Sequence, residues 1–121
     1  MAGQLTIDTL KASSGVLATQ NGMTGIAKAW LKYNGATQTI LGSFNISSVT
    51  YVSAGIYTVN FTTAMASTNY SVVGTGGRWN IQNAWLQVNS GAVSTSAFQI
   101  ANVFASGAAE TDQLQIAVYI A

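Results

Sequence analysis

The sequence contains no cysteine, no histidine and no proline, and it has very few charged residues. Without cysteine, neither a disulfide nor a thiolate metal site can form. Without histidine, a Ser-His-Asp triad cannot form. Charged residues make up 6% of the 121 residues, against about a quarter in a typical soluble domain. We therefore expect no enzyme, no cofactor and no metal.

The few ionisable residues leave two weaker possibilities, one for a catalytic site and one for a metal site. Lys28 and Lys32 fall on the same side of an expected strand as Trp30, so a Ser-Lys dyad is formally possible. Lysines at the margin of an apolar surface, with their charged ends in water, are the simpler interpretation. Glu110 and Asp112 would point the same way in an extended chain, but two carboxylates are few for calcium. Solvation in a loop is the simpler interpretation of this pair.

The charge balance also limits the expected partners. A net charge of +1 gives little attraction to nucleic acid or to an anionic membrane. No apolar run is long enough for a membrane helix, and the first residues do not form a secretory signal. The low net charge weakens the repulsion between copies of the protein, and 49% of its residues are hydrophobic. We therefore expect other copies of the chain, or a partner, to cover much of the apolar surface. A monomer with an uncharged polar coat is the alternative.

Short stretches of alternating side chains dominate the chain, which is typical of half-buried strands. The clearest run from Ala27 to Tyr33, from Gly42 to Val49 and from Ile56 to Phe61. Asn34-Gly35 and Ala54-Gly55 supply turn residues between them. These features predict a three-stranded meander.

The remaining chain predicts four more strands. They run from Tyr70 to Val73, from Ala84 to Val88, from Ser96 to Phe104 and from Leu114 to Ile120. Ala64 to Ala66 has the length of one helical turn, Gly74 to Gly77 predicts a flexible loop, and Ser90-Gly91 predicts a turn. Seven or eight short strands predict an all-β, single-domain antiparallel β-sandwich or jelly roll over residues 26–121.

Residues 1–25 are interpreted as an N-terminal arm or edge strand. Leu5 and Ile7 alternate with polar neighbours, but the segment has too little periodicity to fold as a unit. It either adds an outer strand to its own sandwich or reaches across to a neighbouring subunit.

Four segments carry a resemblance to a known family: AWLKYNG, SFNISSVT, GIYTVNFTTAM and NYSVV. In this order they resemble a module of bacteriophage virion proteins that occurs in tail fibres and in small head or decoration proteins. The chain departs from that pattern at Ile56, where an acidic residue is common, and at Ala66, where Pro or Asp often occurs. The resemblance implies a phage structural protein.

Together with the short length, the resemblance implies a homotrimeric capsid decoration (cement) protein. It would bind the major capsid protein on the outside of the virion, after synthesis in the host bacterial cytoplasm. A tail-fibre or receptor-binding tip domain that recognises host surface glycan is the alternative. Trp30 and Trp85, inside alternating strands, are expected in the core or at a subunit interface. Arg78 and Trp79 follow the glycines, and they are candidates for an exposed recognition site, with packing as the simpler interpretation.

Overall fold

The computed structural model describes Gly3, residues 26–78 and residues 84–120. Within these ranges the chain forms nine strands and no helix, so no membrane-spanning helix occurs among them. The strands are β1 (Ala29–Asn34), β2 (Thr39–Phe44), β3 (Ile46–Ser53), β4 (Ile56–Phe61), β5 (Tyr70–Gly77), β6 (Trp85–Val93), β7 (Ala97–Phe104), β8 (Gly107–Ala108) and β9 (Gln113–Ile120). Apart from Gly3, the expected arm lies outside the described residues, as do Trp79 and Ala121.

The strands form two antiparallel sheets that pack face to face. The four-stranded sheet has the order β2-β1-β9-β5, and the five-stranded sheet has the order β3-β4-β7-β6, with β8 paired to β7. The predicted all-β antiparallel sandwich is confirmed. The strand with the strongest sequence pattern, β9, is hydrogen-bonded on both sides within its sheet.

Every second residue of the central strands enters one apolar core between the sheets. Alternation buries one face of each strand because successive side chains point to opposite sides. Phe61 and Phe98 meet across the neighbouring strands β4 and β7 with ring centroids 5.4 Å apart. Both central strands of each sheet supply core residues: Ala29, Leu31, Tyr33, Tyr57, Val59, Phe61, Phe98, Ile100, Leu114, Ile116 and Val118.

The predicted meander is wrong, because the chain changes sheets at Asn45. The segment expected as one strand, Gly42 to Val49, is divided between β2 and β3, which lie in different sheets. Asn45 has a φ of 56°, a left-handed conformation that asparagine tolerates better than most residues. Its amide Nδ2 donates to Lys28 O and Thr63 O, each at 3.1 Å, and its Oδ1 accepts from Thr63 N at 2.7 Å. The Asn45 side chain therefore ties the corner to the residue before β1 and to the connection after β4.

The turn at Asn34-Gly35 is in the predicted place but has a different geometry. Four residues, Gly35 to Gln38, connect β1 and β2, and the positive φ of 54° occurs at Gln38 and not at Gly35. Asn34 Oδ1 accepts a hydrogen bond from Thr37 N at 3.0 Å. The second turn is confirmed, because Ser53 pairs with Ile56 across a two-residue connection in which Gly55 has a φ of 74°.

The predicted glycine loop is wrong, because Gly74 to Gly77 form the end of β5 and pair with β9. The glycines permit close packing here. A Cβ atom at Gly74 would overlap Gln115 O, and one at Gly76 would overlap Asn102 Oδ1. Strand glycines often mark such a close approach of neighbouring atoms.

The turn expected at Ser90-Gly91 is wrong, and the possible helical turn at Ala64 to Ala66 does not form. Ser90-Gly91 lies inside β6, within a register shift between Val88 and Val93, where Asn89 Oδ1 accepts from Gly91 N at 3.1 Å. Ala64 to Ala66 form no helical turn. Met65 is buried instead, and its N donates to Thr95 O at 2.8 Å, so this connection is tied across the sandwich end.

Candidate interaction surfaces

The outer side of the four-stranded sheet carries one apolar row across all four strands. Trp30 lies opposite Phe44 on β2 and opposite Ala117 on β9, and Ala117 lies opposite Val73 on β5. Directly paired residues point to the same side of a sheet. Trp30 is 44% exposed, Phe44 37% and Val73 51%. We call this surface the Trp30 face.

A shallow open depression of about 440 Å³ lies beside Trp30 on this face. Its floor and rim are formed by β1, β9 and β5: Trp30, Leu31, Lys32, Val73, Gly74, Thr75, Gln115, Ile116 and Ala117. The Trp30 ring itself leans towards β2, since a Cβ atom at Gly42 would be 3.2 Å from Trp30 Cζ3. Gly42 thus leaves room for the indole on the side away from the depression.

Charge is almost absent from the sheets. Lys32, next to Trp30's row, is the single charged residue in the nine described strands. Lys28 precedes β1 and is buried, with 3% of its surface exposed, so its expected place at the margin of the apolar surface is wrong. Lys32 is exposed, so the two lysines do not share one environment.

The outer side of the five-stranded sheet is polar but uncharged. Trp85 pairs with Val103 on this side, while Leu86 pairs with the buried Asn102 on the inner side. Several of its amide side chains are tied to neighbours within the sheet. Asn60 Nδ2 donates to Ser48 Oγ at 3.1 Å and to Thr50 Oγ1 at 3.2 Å, and Asn89 Nδ2 donates to Gln99 Oε1 at 2.7 Å. We call this surface the Trp85 face.

Trp30 and Trp85 therefore lie on opposite outer surfaces of the sandwich. Trp85 is 45% exposed, close to the value for Trp30, so placing either residue in the core is wrong. The structure does not bring the two rings together as one stacking platform. Arg78 is exposed directly after β5, while Trp79 lies outside the described residues.

Glu110 faces a cluster of tyrosines at one end of the sandwich. Tyr57 Oη donates to Glu110 Oε2 at 3.5 Å, a long contact. Burial, and then the charge of Glu110, raise the pKa of Tyr57 and that of Tyr33. The pKa of Tyr51 is raised first by its hydrogen bond to Glu110. These shifts keep the tyrosines neutral to a higher pH than an exposed tyrosine, as expected for hydroxyls packed at this end of the sandwich beside a carboxylate.

The other acidic residue of this loop, Asp112, is separated from Glu110 by the buried Thr111. Thr111 Oγ1 donates to Gln113 O at 2.8 Å and accepts from Gly77 N at 2.9 Å. Among the described residues, no group of three His, Cys, Asp or Glu side chains is placed to hold a metal ion. The loop's contacts join β5 to the start of β9.

Sequence reasoning found Trp30 and Trp85 but missed the residues that surround Trp30. Phe44, Val73 and Ala117 come from three different strands, and only the pairing register places them beside the indole. One sequence feature pointed to a neighbour of Trp30: Gly42 stands alone in an alternating stretch. An isolated glycine in a strand often indicates that another group approaches closely.

Comparison of the chain with protein-family models, with curated proteins and with solved structures found no match. The function is therefore inferred from the two surfaces and from the sequence resemblance.

Proposed function

We propose that this chain is a non-enzymatic bacteriophage structural protein, a homotrimeric decoration (cement) protein that binds the major capsid protein and stabilises the head. The observation that carries this proposal is the pair of exposed, nearly charge-free sheet faces. Lys32 is the single charge in the described strands, while Trp30 and Trp85 are each more than two fifths exposed. Such faces support adhesion and offer few groups for chemistry.

The four segments that resemble the phage module include residues of each of the first five strands of the sandwich. AWLKYNG forms β1 and the start of the next turn, SFNISSVT spans the Asn45 corner, and GIYTVNFTTAM contains β4. NYSVV contains the beginning of β5. Because these segments supply both sheets, the resemblance concerns the body of the fold and supports the phage assignment.

Adhesion through such faces is physically efficient. Apolar area contributes about 25 cal/mol per Å² when it is removed from water. A face with one lysine requires little desolvation of charge on binding. Many copies on one shell would then reinforce weak individual contacts by multivalency.

The test is binding to phage heads that lack this protein. Purified chain added to such heads should co-sediment with them and should raise the temperature at which the heads release DNA. Heads already saturated with the chain serve as the control and should retain no more. Failure to co-sediment at micromolar concentration would contradict the proposal.

A second candidate, a tail-fibre tip domain that binds host glycan, is favoured by the setting of Trp85. Its exposed indole lies on an uncharged face that also presents Gln87, and aromatic rings with nearby amides suit sugar rings. This candidate predicts that the isolated protein binds host cells. Trp85→Ala or Trp79→Ala should weaken that binding, and Trp30→Ala, on the opposite face, is the matched control.

A further inference from the structure

We propose that Asn34 is a latent deamidation site, which the fold protects by holding the backbone amide of Gly35 on the carbonyl of Thr111. This inference does not depend on the proposed function. Asn34-Gly35 is a turn signal in the sequence, but it is also a reactive pair. Glycine has no Cβ atom, so it does not hinder attack by its own backbone nitrogen on the side chain of the asparagine before it.

Deamidation of this pair requires water but no enzyme or cofactor. Gly35 N loses its proton and attacks Asn34 Cγ, so a bond from N to Cγ forms and the bond from Cγ to Nδ2 breaks. The side-chain nitrogen leaves as ammonia and takes up a proton. Water then opens the cyclic imide at one of its two carbonyls. The product at position 34 is either aspartate or isoaspartate, and in both a neutral side chain has become a carboxylate.

The attacking nitrogen is occupied in the folded chain. Gly35 N donates to Thr111 O at 2.7 Å, and Ala36 N donates to the same oxygen at 3.1 Å. Gly35 is also buried. A buried amide in a hydrogen bond gives up its proton to solvent only when the structure around it opens. The first step of deamidation is therefore blocked as long as Gly35 is bound to Thr111.

The carboxamide of Asn34 is held as well, but this contact does not protect it. Asn34 Oδ1 accepts from Thr37 N at 3.0 Å. A hydrogen bond to Oδ1 draws electrons away from Cγ and makes it a better target for a nucleophile. Protection therefore depends on the amide of Gly35 and on the carbonyl that binds it.

Thr111 is itself anchored through its hydroxyl. Thr111 is fully buried, and its Oγ1 accepts from Gly77 N at 2.9 Å and donates to Gln113 O at 2.8 Å. These bonds fix the carbonyl that binds Gly35 to the end of β5 and to the start of β9. We call Thr111 and its hydrogen bonds to Gly35, Gly77 and Gln113 the Thr111 clasp.

Packing explains why a reactive pair stands at this position. A Cβ atom at Gly35 would overlap Tyr57 Oη and lie 3.0 Å from Thr111 O, so a larger residue does not fit. Isoaspartate would add one atom to the backbone between positions 34 and 35 and would move the Gly35 amide away from Thr111 O. A chain that had reacted in this way would not form the clasp again.

The first test compares the folded and the unfolded wild-type chain at mildly alkaline pH. Asn21-Gly22 is the same pair elsewhere in the chain, and trypsin separates the two sites because Lys28 and Lys32 lie between them. Mass spectrometry of the digest measures the reacted fraction at each site over time. In guanidinium chloride both asparagines should react at similar rates. In the folded chain Asn34 should react at least tenfold more slowly than in guanidinium chloride.

The second test opens the clasp. Thr111→Val keeps the shape of the side chain and removes the hydroxyl, so Asn34 should react about fivefold faster in the folded state, the effect expected from one lost hydrogen bond. Hydrogen exchange at the Gly35 amide should rise in parallel. Asn45→Ala is the matched control, because it loosens the opposite end of β1, about 20 Å away at about 3.3 Å per residue. It should leave the rate at Asn34 unchanged.

Two outcomes would overturn the inference. If Asn34 reacted equally fast in the folded chain and in guanidinium chloride, the fold would not protect it, and this comparison needs no variant. If Thr111→Val and Asn45→Ala changed the rate equally, global unfolding and not the Thr111 clasp would control the reaction. Neither measurement involves phage heads, so the proposed function is tested separately.

Discussion

Asn102 on β7 lies against Gly76 on β5, so closely that a Cβ atom at Gly76 would overlap Asn102 Oδ1. The two strands belong to different sheets, so this contact joins the layers of the sandwich. Asn102 is fully buried, and its Nδ2 donates to Ala109 O at 3.0 Å. A buried polar side chain thus ties the core to the segment that follows β8.

The first prediction concerns Gly76. Gly76→Ala should lower the free energy of unfolding by about 1–3 kcal/mol, because the methyl group would displace the Asn102 side chain in a packed core. Urea denaturation measures the change. Gly91→Ala is the matched control, since the nearest atom to a Cβ there is Asn89 Oδ1 at 3.5 Å, an ordinary contact. Equal stability of the two variants would contradict the packing argument.

The second prediction separates the two roles of Asn45. Asn45→Gly keeps the left-handed backbone conformation but loses the side-chain hydrogen bonds to Lys28 and Thr63. Asn45→Ala loses both, and we expect it to be less stable than Asn45→Gly by about 1–2 kcal/mol, the cost of a left-handed non-glycine residue. Thermal or urea unfolding of both variants checks this order. If alanine were the more stable replacement, the backbone would not constrain this corner.

The third prediction is a coupling between Gly35 and Tyr57. A Cβ atom at Gly35 would overlap Tyr57 Oη and lie 2.8 Å from its Cζ and 3.0 Å from Thr111 O. Gly35→Ala should therefore destabilise the fold. Tyr57→Phe removes the hydroxyl, so the double variant should lose less stability than the sum of the single variants. A double-mutant cycle measures this interaction, and simple additivity would show that the two residues do not meet.

The fourth prediction concerns alkaline pH. Burial raises the pKa of Tyr33, Tyr57 and Tyr70 above the ordinary value of 10.0. The folded state therefore holds these protons more tightly than the unfolded state. Their stabilising contribution is complete below about pH 10 and is lost as the pH rises through the higher folded-state pKa values.

Urea midpoints measured from pH 8 to 12 test this dependence. The midpoint should decline above about pH 10, and the decline should be smaller in Tyr57→Phe, which lacks one of the shifted groups. A Tyr57→Phe curve with the wild-type slope would contradict the assigned shift.

The sequence predicted the sandwich and the inward residues of its central strands because alternation there is uninterrupted. It could not predict the change of sheet at Asn45, since the alternation in the sequence continues through the corner while the chain passes from one sheet to the other. It misplaced Gly74 to Gly77 because glycine permits both a loop and a tightly packed strand, and only the neighbouring Asn102 and Gln115 distinguish them.

The candidate surfaces were predictable only in part for a similar reason. Alternation places Trp30 and Trp85 on one side of their own strands but does not say which side is buried. The apolar row with Phe44 and Val73 depends on the register between strands that are distant in sequence.

The central claim is that this chain acts by adhesion of its sheet faces on a phage head. Cryo-EM of purified virions whose genome encodes this chain tests this claim most directly. We predict β-sandwich density in clusters of three on the outer head surface. Particles that carry the sandwich at the tail tip alone, or that lack the protein altogether, would contradict the account.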